Sequence, residues 1–247
     1  MSYQLLISDL HLDAARPEHL AALKALLSRH AGKADALYVL GDLFEAWIGD
    51  DDDSDFNLAA IAAFRAFSDA GSQLYFMHGN RDFMLGQGFC EQTGGKLLNE
   101  GTVVDFYGTQ VLLMHGDSLC TLDEKYQAFR SMVRNPQWQA DMLAKPLEQR
   151  RMMAQMMRMQ SSQNNANKSS NIMDVTPDEV VRVMNEAGVS HLIHGHTHRP
   201  AVHDVALAHG AGKRWVLGDW GQLGWQIVAD SDTGLRLESF AIDELLA

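Results

Sequence analysis

The chain has 247 residues, 46% of them hydrophobic, so one sizeable core can form without a division into two domains. Its formal net charge is −12, which argues against a nucleic-acid partner, because nucleic-acid phosphates are normally met by a basic patch. No apolar run approaches the roughly 18 residues of a membrane span. The first residues also lack the basic region of a signal peptide, so we expect a cytosolic globular protein.

Short apolar runs alternate with helical patterns through the first 120 residues, which is typical of βαβ units. The helical patterns run from Pro17 to His30 and from Asn57 to Ala70. Between them lies an acidic run, Asp50 to Asp53, which we interpret as a solvated loop, with a loop-positioning role as the alternative.

The alternation breaks between about residue 122 and residue 171, where three helical stretches lead into a polar, Asn/Ser-rich loop. We interpret this block as an inserted helical cap within a single domain of residues 1–247. A helix from Pro177 to Ala187 follows, and short strands are predicted near 202–206, 214–218, 224–229 and 235–240. We expect these last strands to form a second sheet that packs on the first.

Five of the apolar runs end at side chains that bind metals well. Because the carboxyl ends of parallel strands meet at one edge of a sheet, we expect these side chains to converge there. The spacings Asp-x-His and His-x-His each direct two side chains to the same side of a strand end. Flanking glycines allow tight turns and close backbone approach. The candidate ligands are Asp9, His11, Asp42, Asn80, His115, His196 and His198, and the glycines are Gly41, Gly79, Gly116 and Gly195.

Carboxylate, amide and imidazole ligands without a thiolate suit Mn²⁺, Fe²⁺, Co²⁺ or Zn²⁺ better than a structural cysteine site. Seven ligands are too many for one ion, so the sequence predicts two ions bridged by Asp42. Such a pair, roughly 3.5–4 Å apart, would activate a water and hold phosphoryl oxygens during in-line attack. The two predicted ligand groups are Asp9, His11, Asp42 and His198, and Asp42, Asn80, His115 and His196.

The ordered pattern DxH, GD, GN, H and GHxH resembles the calcineurin-like metallophosphoesterases. Longer segments are similar to the UDP-2,3-diacylglucosamine diphosphatase family: LGDLFEAWIGDD (40–51), HGNRDF (78–83), MHGDSLCTLDEKYQ (114–127) and IHGHTHRPAVH (193–203). The resemblance implies an α/β fold in which two sheets form a sandwich flanked by helices (αββα). It also implies hydrolysis of a nucleotide-diphosphate lipid in lipid A biosynthesis, releasing UMP and 2,3-diacylglucosamine 1-phosphate, with Mn²⁺ as the usual metal.

The same resemblance implies further site residues. We predict that four residues act in catalysis, namely Asp42, Asn80, Arg81 and His115. Matching positions in the family contact the substrate, and here they are Asn80, Arg81, Asp123, Ser161, Asn165, Lys168 and His196.

Arg81 departs from the wider superfamily, in which many members have a histidine after the asparagine of the GN motif. A guanidinium offers a fixed fork for two phosphate oxygens but does not donate a proton at neutral pH. Our hypothesis is that the leaving group is itself a phosphate, which departs without a general acid.

The block from 122 to 171 has two features that fit a lipid substrate. A stripe of methionines (Met152, Met153, Met156, Met157 and Met159) covers an arc of about 160° on a helical wheel. From Lys125 to Lys168, eight basic residues stand against two acidic ones, a local excess of about +6. We interpret the stripe as an acyl-chain or membrane-surface contact, with an ordinary core-facing stripe as the alternative.

These observations predict a hydrolase that binds peripherally to the cytoplasmic face of the inner membrane. No protein partner is predicted. A generic phosphodiesterase or phosphoprotein phosphatase is a second interpretation, and a scaffold that has lost catalysis is a third. The third is weakened because all seven candidate ligands are present.

Overall fold

The computed structural model describes residues 2–166 and 174–246, with the backbone alone described for residues 160–166. The strands are β1 (Tyr3–Ile7), β2 (Ala36–Leu40), β3 (Gln73–Met77), β4 (Lys96–Leu98), β5 (Thr102–Phe106), β6 (Thr109–Leu113), β7 (His191–His194), β8 (Ala201–Leu207), β9 (Gly210–Val216), β10 (Leu223–Asp230) and β11 (Gly234–Ala241). The helices are α1 (Pro17–His30), α2 (Asp55–Asp69), α3 (Gln87–Thr93), α4 (Glu124–Val133), α5 (Pro136–Leu143), α6 (Leu147–Ala166), α7 (Pro177–Ala187) and α8 (Ile242–Leu246).

The strands form two sheets that pack face to face. The first has the order β11-β10-β1-β2-β3-β4, and the second has the order β5-β6-β7-β9-β8. Within them β1 to β4 run parallel, as do β6, β7 and β9. Aliphatic and aromatic side chains from both sheets, such as Leu6, Leu40, Leu113 and Ile193, form one buried cluster between them.

Helices cover the two outer faces of the sandwich. A second buried cluster joins the first sheet to α1, α2 and α8, and a third joins the second sheet to α7. The predicted αββα architecture is therefore confirmed. Among the helices within residues 2–166 and 174–246, none combines the length and apolar character needed to cross a bilayer.

The prediction for the last four strands was wrong in part. Strands β8 and β9 join the second sheet as expected, but β10 and β11 complete the first sheet, where β10 pairs antiparallel with β1. The second sheet also takes β5 and β6 from the middle of the chain. Each sheet is therefore assembled from distant parts of the sequence.

Helix boundaries follow local chemistry. Pro17 and Pro177 occupy the first positions of α1 and α7, whose predicted bounds are confirmed. Ser54 caps α2 through its side chain, so that helix begins two residues before the predicted Asn57. Asn135 caps α5 in the same way, which separates α4 from α5. The three helices expected between 122 and 171 are thus present as α4, α5 and α6.

Interpreting the acidic run after Trp47 as a solvated loop was wrong for Asp50 and Asp52, whereas Asp51, at 63% exposed, and Asp53 are solvated as expected. Asp50 Oδ1 accepts hydrogen bonds from Trp47 Nε1 at 2.9 Å and Gly86 N at 3.0 Å, and its Oδ2 accepts one from Phe89 N at 3.0 Å. Asp51 and Asp52 form ion pairs with arginines of α6. The run therefore ties α3 and α6 to the loop that follows β2.

Replacing Asp50 with alanine is expected to lower the free energy of unfolding by about 2 kcal/mol, because three donors lose their acceptor. Urea unfolding of the purified protein measures this loss. Asp53→Ala is the matched control, since Asp53 is exposed in the same run, and its effect should stay within about 0.5 kcal/mol. Equal stability of the two variants would contradict the assigned role of Asp50.

Candidate metal centre

The candidate ligands follow strands of both sheets. Asp9, His11, Asp42 and Asn80 come after β1, β2 and β3 of the first sheet, whereas His115, His196 and His198 come after β6 and β7 of the second. The expectation of one sheet edge therefore needs correction, because the side chains meet where the edges of two sheets adjoin.

One group of ligand atoms surrounds His11 Nε2. This nitrogen lies 3.2 Å from His198 Nε2, 3.8 Å from Asp42 Oδ2 and 4.0 Å from Asp9 Oδ1. His198 Nε2 is 3.3 Å from the same Asp9 oxygen. Asp9, His11 and His198 thus present atoms close enough together to share one metal ion.

A second group lies on the other side of Asp42. His115 Nε2 is 3.7 Å from Asp42 Oδ1 and 3.0 Å from Asn80 Oδ1, and His196 Nδ1 is 2.7 Å from the same Asn80 oxygen. His115 Nδ1 donates to the carbonyl of Leu40 at 2.8 Å, which directs the Nε2 lone pair into the group. Asp42 therefore faces both groups, one with each carboxylate oxygen.

Five of these residues have a strained backbone. Asp9, His11, Asp42, His196 and His198 adopt left-handed conformations with φ between 48° and 65°. Such a conformation costs about 1–2 kcal/mol for a residue with a Cβ, and strain of this kind concentrates at functional sites. Contacts with the surrounding loops therefore offset the conformational free energy of the left-handed backbone and keep the candidate ligands in place.

Two glycines allow the loops to approach each other. A Cβ on Gly79 would lie 2.1 Å from Asp42 Oδ1, and one on Gly195 would lie 2.1 Å from Asp9 Oδ2. No side chain fits at either position without displacing a candidate ligand. The expected close approach at these glycines is confirmed.

The donor set fits divalent cations. Asp9 Oδ1 is buried and has no hydrogen-bond partner of good geometry among the described atoms, which suits an oxygen that binds a metal. Burial opposes protonation of His115, but Asp42, Asp9 and Asp117 outweigh it and raise its pKa to about 9. The site therefore concentrates negative charge that a cation would neutralise, displacing a proton as it binds.

A second layer of side chains fixes the ligand loops. Asp82 is fully buried and accepts hydrogen bonds from Leu43 N at 2.7 Å and Gly79 N at 2.8 Å. Glu45 Oε2 lies 3.0 Å from His11 Nδ1, and Asp219 Oδ2 lies 3.5 Å from His198 Nδ1. Sequence reasoning missed all three carboxylates, although Asp82 and Glu45 stand within three residues of predicted ligands.

The predicted substrate residues are brought together in part. Asn80, Arg81, Asp123 and His196 line one cavity of about 1180 Å³. Asp123 also caps α4 by accepting a hydrogen bond from Tyr126 N. Lys168 lies outside the described residues, as do the side chains of Ser161 and Asn165.

The methionine stripe divides between two environments. Met153 and Met157 pack against the main core, and Met157 also lines the cavity. Met152, Met156 and Met159 are 55%, 64% and 60% exposed. The core-facing interpretation therefore holds for Met153 and Met157, whereas the other three side chains are exposed to solvent.

The basic excess of the same region is largely paired with acidic side chains of the sandwich. Arg151 Nη2 lies 2.8 Å from Asp52, and Arg158 lies 3.2 Å from both Asp13 and Glu45. These arginines hold α6 against the loops after β1 and β2. They are therefore less available to an anionic surface than the sequence predicts.

A two-sheet sandwich that gathers two groups of metal ligands at its strand ends is the arrangement of a metal-dependent phosphoesterase. Residues 4–200 match the family described as calcineurin-like phosphoesterase, and the chain belongs to that family. Its relatives include a protein of Cellvibrio japonicus named UDP-2,3-diacylglucosamine hydrolase, 52% identical over 96% of this chain and 99% of that protein.

A relative of the same name from Chromohalobacter salexigens is 53% identical over 96% of this chain and 97% of its own. Among solved structures, one described as a novel archaeal phosphodiesterase has a TM-score of 0.50 and 12% identity, covering 97% of this chain and 99% of that one. At this identity the likeness bears on the fold alone.

Proposed function

We propose that this protein hydrolyses the diphosphate bond of UDP-2,3-diacylglucosamine, releasing UMP and 2,3-diacylglucosamine 1-phosphate for lipid A biosynthesis. Relatives about 50% identical over nearly the whole chain are named as hydrolases of this substrate. The seven candidate ligands would hold two divalent ions, Mn²⁺ by preference, and Asp42 would be shared between them.

The large cavity carries this proposal. Its lining includes candidate metal ligands and Arg81, which suit a diphosphate. Elsewhere it is lined by apolar side chains of the sandwich and of α4 to α6, which suit acyl chains: Trp47, Ile48, Phe83, Met84, Phe129, Trp138, Met142 and Met157. A diphosphate site and an apolar wall in one cavity match a nucleotide-diphosphate lipid better than a soluble phosphodiester or a phosphoprotein.

Helices α4, α5 and α6 act as a cap over this cavity within a single domain. Arg134 of the loop after α4 donates to the carbonyl of Gly79 at 2.9 Å, and Trp138 of α5 packs near Phe83. The cap thus touches the loop that carries Asn80 and Arg81. Its position determines how the lipid enters beside the diphosphate.

The side chains at the diphosphate have separate tasks. Divalent ions, when bound, supply Lewis-acid polarisation of the phosphoryl group and lower the pKa of the attacking water. The Arg81 guanidinium binds phosphate oxygens, and its buried Nε has no hydrogen-bond partner among the described atoms. His196 and Asp123 line the cavity beside it and orient the sugar phosphate. The apolar walls exclude water from the acyl chains.

The test follows UMP release from UDP-2,3-diacylglucosamine by metal-stripped protein, with and without added Mn²⁺. The proposal expects release only with the metal. Hydrolysis of a soluble phosphodiester without UMP release would instead indicate a generic phosphodiesterase. Failure of every metal and substrate to give turnover would indicate a scaffold.

Arg81 provides a sharper test of the leaving group. Arg81→Ala is expected to lower kcat/KM for the lipid by about 100-fold, the cost of losing one charged donor to the transition state. Metal content should be unchanged, and Arg81→His should restore little of the rate. The wild type should cleave an alkyl phosphodiester far more slowly than the diphosphate. Equal rates on both substrates, with full activity in Arg81→His, would contradict the hypothesis that no general acid is needed.

The cap also binds the cytoplasmic face of the inner membrane. Met152, Met156 and Met159 are exposed on α6, where flexible apolar side chains suit the boundary between head groups and acyl chains. Two further apolar side chains of the cap region, Leu122 and Leu143, are 59% and 45% exposed.

Replacing Met152, Met156 and Met159 together by glutamine is expected to reduce binding to phospholipid vesicles about tenfold, because three apolar side chains leave the membrane boundary. Vesicle co-sedimentation measures the binding. The rate on a short-chain soluble analogue of the substrate should stay unchanged. Loss of that rate as well would point to a folding defect, and unchanged vesicle binding would contradict membrane docking by the stripe.

A further inference from the structure

Glu45 lies in the loop after β2, where that loop pairs with the loop after β1. Its backbone N–H donates to the carbonyl of Leu12 at 3.0 Å, and Leu12 and Phe44 form an isolated bridge. The Glu45 side chain is only 15% exposed. A short stretch of backbone pairing therefore aims its carboxylate at the site.

The two carboxylate oxygens of Glu45 have different neighbours. Oε2 lies 3.0 Å from His11 Nδ1, whereas Oε1 lies 3.2 Å from Arg158 Nε and 3.9 Å from Arg81 Nη1. Arg16 approaches Oε2 to 3.9 Å. One carboxylate thus adjoins a candidate metal ligand, the proposed phosphate-binding arginine and an arginine of α6.

The contact with His11 determines which ring nitrogen is available to a metal. A carboxylate beside Nδ1 favours the tautomer with the proton on that atom, which leaves the Nε2 lone pair free. Nε2 is the atom that faces Asp9, Asp42 and His198. His11 itself has a left-handed backbone, which concentrates at functional sites.

The contact with Arg81 is of a different kind. At 3.9 Å it is too long for a hydrogen bond, so it holds the guanidinium by charge and leaves its N–H groups free for phosphate. Arg158 reaches the same Glu45 oxygen from α6 and also contacts Asp13 at 3.2 Å. Through the Glu45 side chain, helix α6 is therefore connected both to a candidate metal ligand, His11, and to the proposed phosphate-binding residue, Arg81.

We infer that Glu45 is a positioning residue, which orients His11 toward the metal and Arg81 toward the phosphate, and which Arg158 of α6 holds in place. The inference rests on the proposed function for the identity of the metal centre. Because Glu45 contacts both Arg158 of α6 and His11, the packing of α6 and the geometry of one metal position depend on each other.

The test is calorimetric titration of metal-stripped protein with Mn²⁺, which needs no substrate. Glu45→Ala is expected to weaken one of the two binding steps about 10–100-fold, the usual cost of removing a carboxylate behind a metal-bound histidine. The other step and the unfolding temperature of the metal-free protein should stay close to wild type. Glu45→Gln, which keeps the shape and one acceptor, should have a smaller effect and serves if the alanine variant does not fold.

Asp52→Asn is the matched control, because Asp52 also pairs with an arginine of α6 but adjoins no candidate ligand. Its metal affinity should equal that of the wild type. Arg158→Met should weaken the same binding step as Glu45→Ala by a smaller factor and add nothing in the double variant. If Glu45→Ala binds Mn²⁺ with the same affinities as the wild type, the inference is overturned. If the losses of affinity in Glu45→Ala and Arg158→Met add up in the double variant, the proposed link to α6 is overturned.

The outcomes also separate this inference from the proposed function. Wild-type protein that binds no Mn²⁺ overturns the metal centre itself. A different result is that the wild type binds Mn²⁺, that the affinity depends on Glu45 as expected, and that no UMP is released from the lipid. This result would support the positioning role of Glu45 and contradict the proposed substrate.

Discussion

Asp42→Ala is expected to abolish tight metal binding and to reduce UMP release by at least about 1000-fold, equivalent to about 4 kcal/mol of transition-state stabilisation. The reason is that Asp42 faces both ligand groups, with Oδ2 3.8 Å from His11 Nε2 and Oδ1 3.7 Å from His115 Nε2. Its Oδ1 also accepts the backbone N–H of Arg81 at 2.8 Å. Losing this carboxylate removes a ligand from each group and frees the loop that carries Arg81.

Metal analysis of the purified variant and single-turnover UMP release measure these effects. Asp69→Ala is a suitable control, because Asp69 is an exposed carboxylate on α2 that pairs with Arg65. Its metal content and rate should match the wild type. An Asp42→Ala variant that holds two ions and keeps even a tenth of the rate would exclude the shared position of Asp42.

Gly79→Ala is expected to lower the rate of UMP release by about 100-fold or more, because catalytic geometry tolerates less than 1 Å of displacement. The added Cβ would lie 2.1 Å from Asp42 Oδ1 and 2.2 Å from Asp42 N, so a ligand loop must move. Both atoms belong to Asp42, which we propose to be shared by the two metal positions. Affinity for Mn²⁺ should therefore fall together with the rate.

Gly221→Ala controls for the glycine replacement itself, since nothing lies within 4 Å of a Cβ there and its φ is not in the left-handed range. That variant should retain full activity. Circular dichroism distinguishes a local displacement at Gly79 from global unfolding. If a folded Gly79→Ala variant bound Mn²⁺ with wild-type affinity, the prediction would be contradicted. The loops would then accommodate the added Cβ without displacing Asp42.

Much of the local structure could be predicted because its signals are local. Pro17 and Pro177 begin α1 and α7 where the periodic patterns begin, and five candidate ligand positions follow strands, as the apolar runs indicate. These inferences needed only the spacing of residues along one strand and the turn after it.

The partners of the last strands could not be predicted in the same way. An alternating pattern shows that residues 223–230 form a strand but does not say which strand lies beside it. Its pairing with β1 joins residues more than 220 positions apart, as in Leu6 opposite Ile227. Which strand pairs with β10 depends on how the two sheets fill the core between them. A short segment of sequence does not contain this information.

The supporting residues of the site were missed for a related reason. Asp82, Asp219 and Glu45 act through atoms of other loops, at positions with no periodic signal. The left-handed backbone of five candidate ligands was also missed, because residues with a Cβ rarely adopt it and only the assembled loops impose it. The signal that could have been used is the presence of carboxylates within three residues of a predicted ligand.

The division of the ligands between the sheets has a consequence for the lifetime of the protein. Each ligand group combines side chains that follow strands of the first sheet with histidines that follow strands of the second. Metal ions bound there would cross-link the two halves of the sandwich, and metal at 100 times its dissociation constant adds about 2.7 kcal/mol per site to stability. A cell short of the metal would therefore hold fewer intact copies as well as less active ones, because metal-free copies open more often and are degraded sooner.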